Sequence, residues 1–293
     1  MGSMVGGMLG EVLVRGLRVL ERIVPMPDRL GAALPVSLGA GAAQDPVILV
    51  GGFANGPSGF EQWRRSLLAD GFQVFVFDLP SRGLGDMRAS AELLAAFIAE
   101  VKRRTGRTRV DLIGYSEGGL LARMAVASHG AEASVDRIIS LATPHAGIPT
   151  SDAFDALAAL GPIKPGSAVA AAQLVEGSAL LAEVERADAL LRGATDPLAV
   201  LRGARYVSLY SRVADPIVTP RVSWLAGALN VPIRHDHIDA AGGPNHWGMF
   251  HSSDRAYDAA RAALLDLPAR VALEFGFGPL VDASASGAAS AHG

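Results

Sequence analysis

Six short apolar runs, separated by stretches of helical periodicity, constrain this sequence more than any other feature. They are "PVILVGG" (46–52), "FQVFVFD" (72–78), "VDLIGY" (110–115), "RIISLA" (137–142), "YVSLY" (206–210) and "VPIRHDHI" (231–238). Most are continuous β-branched and apolar runs, the pattern of strands buried on both faces of a parallel sheet. Between them, residues 59–70, 87–104, 118–128 and 254–266 read as helices. This β-α-β alternation predicts an α/β fold with a doubly wound, mostly parallel sheet. With 293 residues, half of them hydrophobic and 19% charged, the chain is long and apolar enough for one sizeable core.

Three regions depart from that rhythm. Residues 147–204 separate two strands by far more than an ordinary connection; "SDAFDALAAL" and "SAVAAAQLVEGSALLAEVERADALL" within them read as helices of an insertion. Upstream, 1–45 holds an amphipathic segment at 8–24, with Leu9, Val12, Leu13, Leu17, Leu20, Ile23 and Val24 on one face. Its polar face carries Arg15, Arg18 and Arg22 against Glu11 and Glu21, a net +1, too weakly cationic for a membrane-surface helix, so packing on the main domain is expected. Transient contact with a lipid interface is the alternative. The segment is too charged for a signal-peptide core and too short to span a bilayer. Residues 46–280 form the expected main domain, and "SASGAASAHG" belongs to a low-complexity tail over 281–293.

Composition narrows the chemistry. The absence of cysteine excludes disulfides, a thiolate nucleophile and cysteine-ligated metals, and leaves the compartment open: cytoplasmic, or secreted with a leader removed. A net charge of −3 with scattered basic residues carries no nucleic-acid footprint. Neither G-x-x-x-x-G-K-[ST] nor G-x-G-x-x-G is present, so a phosphate cradle is not expected.

The third run leads into "GYSEGGLLARMA", which sets Ser116 between Gly114 and Gly118 where a strand turns into a helix. G-x-S-x-G in that context displays a serine on a strained turn beyond the carboxyl end of a strand, where open α/β sheets do their chemistry. The bland reading is a helix N-cap. A serine hydroxyl needs a base, and the base an orienting carboxylate, in the chain order Ser, Asp/Glu, His. "YVSLYSRVADPIV" offers Asp215 shortly after a strand, with Pro216 keeping the loop from becoming helix; otherwise it is a turn aspartate. Chain order removes His129 and His145, and His292 lies in the tail. His235 and His237 fall within an expected strand; His246 sits in the loop "GGPNHWG", and His251 abuts the Ser252–Ser253–Asp254 cap. His246 is the favoured base.

An oxyanion needs two backbone N–H donors. Glu117, the residue after the nucleophile, supplies one, and Phe53 in "LVGGFANGPSGF" is the natural second, unless that stretch is simply a glycine-rich turn.

Taken together, "PVILVGGFANGP", "GYSEGG", "SLATPHAG", "YSRVADPIV" and "NHWGMFHSSDRAY" resemble the lipase and esterase branch of the α/β-hydrolase superfamily, as in actinobacterial lipases and yeast lipases of the lipase B type. The resemblance spans about 46–270. It implies the α/β-hydrolase fold, a triad of Ser116, Asp215 and His246, oxyanion donors at Phe53 and Glu117, and a lid or acyl-binding cap at 147–204. It further implies hydrolysis of apolar acyl esters through an acyl-enzyme, with no cofactor or metal. Many such lipases have histidine where this chain has Tyr115 and Gly51, and many secreted members carry a disulfide. Thioester hydrolysis or acyl transfer would use the same residues, and a silent binding module is the reading outside catalysis.

Overall fold

The computed structural model describes residues 44–149, 169–192, 206–211, 215, 217–233, 246, 248–251 and 253–265. The strands are β1 (Val47–Val50), β2 (Val74–Phe77), β3 (Val110–Tyr115), β4 (Val135–Leu141), β5 (Tyr206–Ser211) and β6 (Leu229–Ile233). The helices are α1 (Glu61–Ala69), α2 (Met87–Thr105), α3 (Glu117–Ala127), α4 (Val169–Gln173), α5 (Ala179–Arg192), α6 (Pro220–Ser223), α7 (Gly248–His251) and α8 (Asp254–Leu264). The amphipathic segment 8–24, the tail 281–293 and the rest of the insertion 147–204, apart from its first residues and α4–α5, lie outside the described residues.

All six strands pair in parallel, in the order β2-β1-β3-β4-β5-β6. The fold is therefore the expected doubly wound sheet. Alternate residues divide its two faces: Ile48, Val50 and Leu112 join a cluster with α2, α3, α4 and α5, while Val47, Leu49, Ile113 and Tyr115 join one with α1, α7 and α8. Helices on both faces explain why the strand sequences are continuously apolar. Because β1 lies between β2 and β3, the winding reverses there, and the crevice beyond the carboxyl ends of β1 and β3 is the topological switch point. The loops starting at Gly51 and at Ser116 both open onto it.

Element ends follow local chemistry. Asp86 caps α2, accepting from the Arg88 N–H at 3.0 Å, and Ser253 caps α8, accepting from Ala256 at 3.1 Å. Strand β6 begins at Leu229, ahead of the apolar run at 231. Asn230 accounts for that early start: its side chain accepts from the Leu225 N–H and donates to the Leu225 and Ala228 carbonyls, tying the strand to the preceding turn. Residues 234–238 of the expected strand lie outside the described residues. No described helix is long and apolar enough to cross a membrane.

The described part of the insertion is built into the body. Leu174, Leu180, Leu181 and Val184 are buried in the α2–α3 cluster. Gln173 accepts from the Met87 N–H at 2.9 Å and donates to Asp86 at 2.7 Å, and Arg88 pairs with Glu183 at 2.6 Å.

Candidate active site

Ser116 is the residue that the β3–α3 turn strains most. It adopts φ 53°, ψ −120°, the left-handed region that a side chain disfavours. Its side chain makes no N-cap hydrogen bond, so the helix-cap reading of Ser116 fails. The turn closes because Gly114 lacks a Cβ: one built there would stand 2.5 Å from the Gly118 carbonyl carbon and the Gly119 nitrogen. The loop after β1 reaches equally close. A Cβ on Gly52 would lie 2.8 Å from the Tyr115 carbonyl oxygen and 2.9 Å from the Ser116 Cβ. Phe53 directly follows that contact. Glu117 opens α3, so its N–H lies in the first helical turn, where no intrahelical acceptor exists.

Asp215 and His246 meet Ser116 from the far side of the sheet's carboxyl edge. His246 Nδ1 is 2.8 Å from Asp215 Oδ2, and its Nε2 is 3.0 Å from Ser116 Oγ. A carboxylate only accepts, so Nδ1 carries the proton, and Nε2 is left as the acceptor for the Ser116 hydroxyl. The other oxygen of Asp215, Oδ1, accepts from the Ile217 and Val218 N–H groups at 2.9 and 2.8 Å. The turn-aspartate reading thus also holds, on a different oxygen from the one facing the imidazole. All three residues are buried, with exposures of 7, 8 and 7% for Ser116, Asp215 and His246. Water is largely excluded from the hydrogen bonds between them, which strengthens each one.

His251 packs edge-on against Phe250 at 4.8 Å, and burial pushes its pKa down to about 4. His235 and His237 lie outside the described residues.

Sequence reasoning missed several residues around this site. The Glu117 side chain is fully buried with both carboxylate oxygens unpartnered among the described residues, and burial pushes its pKa well above the usual range. Only the backbone of Glu117 figured in the sequence pattern; nothing in a lone glutamate signals burial. A second missed group surrounds Arg123, on the buried side of α3. Its guanidinium holds Asp188 of α5 through Nε at 2.5 Å and Nη2 at 2.9 Å, reaches Glu185 at 2.9 Å, and lies 3.3 Å from His145 Nδ1. His145 Nε2 in turn sits 3.0 Å from Ser140 Oγ, which donates to the Val207 carbonyl. "SLATPHAG" carries Ser140 and His145 at close spacing, but their partners come from α3 and α5.

Comparison with known proteins places this geometry in a family context. A family model described as alpha/beta hydrolase fold matches residues 45–168. A triacylglycerol lipase of Burkholderia plantarii is 32% identical over 162 residues, 51% of this chain and 45% of that protein. A triacylglycerol lipase of Pseudarthrobacter phenanthrenivorans is 34% identical over 118 residues, 38% of this chain and 36% of the relative. The chain therefore spans less than half the length of these curated relatives. Among solved structures, the mature form of a Bacillus licheniformis lipase superposes with a TM-score of 0.58 at 21% identity, covering 76% of this chain and 92% of that one. Aspergillus fumigatus lipase B gives 0.58 at 19% identity, covering 84% and 62%.

Proposed function

We propose, from the match of residues 45–168 to a family model of the alpha/beta hydrolase fold and the similarity to triacylglycerol lipases, that the chain is a serine hydrolase of carboxylic esters with apolar acyl groups. The observation that carries the reading is the unbroken hydrogen-bonded order Asp215–His246–Ser116 at a strained strand-to-helix turn. His246 takes the Ser116 proton as Oγ attacks the ester carbonyl, and Asp215 holds the imidazole and stabilises the imidazolium that forms. The N–H groups of Phe53 and Glu117 receive the oxyanion. His246 then gives its proton to the departing alcohol, leaving an acyl group on Ser116. Water, activated by the same histidine, releases the acid and restores the hydroxyl.

An apolar acyl group suits an insertion as rich in Ala, Leu and Val as residues 147–204. The test is a fluorophosphonate probe together with p-nitrophenyl esters of increasing chain length. Labelling of the native chain that disappears in Ser116→Ala, with turnover rising from acetate to longer esters, is expected. A chain that hydrolyses none of the esters and takes no label would overturn the reading, and acyl transfer to an added alcohol in preference to water would redefine it.

A further inference from the structure

Resting on that reading of the site, we infer that Tyr115 is a positioning residue for the base: its hydroxyl, donating to the His246 main-chain carbonyl at 3.0 Å, sets where the imidazole stands relative to Ser116. Tyr115 is the last residue of β3, one peptide bond from the nucleophile. Strand alternation turns its side chain onto the face that carries α7 and α8, the face from which His246 approaches. The phenol ring is 2% exposed and stacks on Phe250 at 4.9 Å and 17°, and Phe250 abuts Phe60 at 4.1 Å. The His246 ring lies 5.1 Å from the same phenol. A rigid aromatic stack therefore fixes the ring, and the ring's hydroxyl fixes the backbone of the base.

The consequence for chemistry is one of reference frame. Ser116 and its base come from sequence positions 130 residues apart, and proton transfer between them tolerates little displacement. Asp215 holds the imidazole by its edge, and Tyr115 holds the peptide from which the imidazole hangs, referring it back to the nucleophile's own strand. Burial, together with the nearby Asp215 carboxylate, raises the phenol pKa, so the group remains a donor throughout the working range. Gly52 also packs on the main chain and ring edge of Tyr115, with a Cβ there 3.4 Å from Cδ1. One residue thus touches the oxyanion loop, the nucleophile turn and the base.

Tyr115→Phe keeps the ring and removes the donor. We expect kcat for a p-nitrophenyl ester to fall by roughly 5- to 50-fold with KM within twofold, and fluorophosphonate inactivation of Ser116 to slow by a similar factor, since both need the Ser116–His246 geometry and neither depends on the acyl pocket alone. We expect the native chain to show a low-field proton resonance from the His246–Asp215 hydrogen bond, and the variant to broaden or lose it. A variant with a lowered melting temperature but unchanged kcat, labelling rate and resonance would overturn the inference and leave Tyr115 a packing residue. A native chain that takes no label at Ser116 would instead overturn the hydrolase reading beneath it, so the two failures are distinguishable.

Discussion

Among the described residues, two buried serine–histidine pairs lie at the same separation, and the third group attached to each decides what the pair can do. In the first, Ser116 Oγ is 3.0 Å from His246 Nε2, and Asp215 holds Nδ1. In the second, Ser140 Oγ is 3.0 Å from His145 Nε2, and Arg123 reaches Nδ1 at 3.3 Å. A carboxylate accepts, which leaves Nε2 free to take a proton from serine. A guanidinium only donates, so His145 Nδ1 must accept, Nε2 carries the proton and points it at Ser140, and the Ser140 hydroxyl is spent on the Val207 carbonyl. The backbone differs in the same sense: Ser116 sits at φ 53° on a strained turn, whereas Ser140 is an interior residue of β4. Proximity of serine and histidine is therefore insufficient; the direction of the proton is set from outside the pair.

The sharpest way to break this comparison is to remove each histidine in turn. His246→Ala should lower ester turnover on the order of 10⁴- to 10⁶-fold, because Ser116 loses its proton acceptor. His145→Ala should leave kcat within a few-fold, with its cost appearing as a melting temperature lower by several degrees. Comparable losses of kcat from both variants, measured on one p-nitrophenyl ester, would show that the second pair also takes part in catalysis.

The next effect concerns the group that makes the second pair structural. Arg123→Ala would strand Asp188, which is 0% exposed in α5, without its guanidinium, at a cost of about 3–5 kcal/mol in chemical denaturation. Replacing both, as Arg123→Leu with Asp188→Leu, should recover most of that loss, since no buried charge would then remain unpaired. Glu185, with its side chain 55% exposed, can return to water. A double variant no more stable than the single one would mean that the arginine contributes through His145 rather than through the α5 carboxylate.

The smallest effect sharpens the comparison with a third histidine, His251, which packs on the ring of Phe250. Burial lowers the His251 pKa to about 4 from an ordinary 6.5, so the folded chain binds fewer protons than the unfolded chain between those values. Stability contributed by neutral His251 is fully present above pH 6.5 and is lost as pH falls through 4, amounting to on the order of 3 kcal/mol. His251→Gln should flatten this part of the stability-against-pH curve while leaving ester turnover at neutral pH nearly unchanged. A curve that keeps its slope would assign the acid sensitivity to other groups.

The order of apolar runs was enough to fix the sheet class, because a strand buried on both faces must be apolar at successive positions and few other structures tolerate such a run. The strand-to-helix serine was equally legible: Gly114 and Gly118 bracket it as the close backbone approach demands, and chain order limited the acid and base to a few candidates. The approach distances, and the meeting of Ser116 with Asp215 and His246, came from the sheet order, which brings the ends of β3 and β5 and the loop before α7 to one edge. What the sequence could not reveal depends on the neighbours of a residue rather than its type. Neither the type of Arg123 nor the side chain of Glu117 signals burial, yet α3 packs between the sheet, α2 and α5, so both are buried, Arg123 paired with Asp188 and Glu185, and the Glu117 carboxylate without a partner among the described residues. Tyr115 stood out in the sequence only as a position where many such lipases have histidine; the stack on Phe250 holds its ring, and the arrival of His246 gives its hydroxyl an acceptor. The sequence by itself determined the strands, the winding and the chemical types at the carboxyl edge, since these follow from local hydrophobicity and turn geometry. Tertiary structure alone decided which histidine faces a carboxylate and which an arginine, because the proton's position is set by groups brought together from distant parts of the chain.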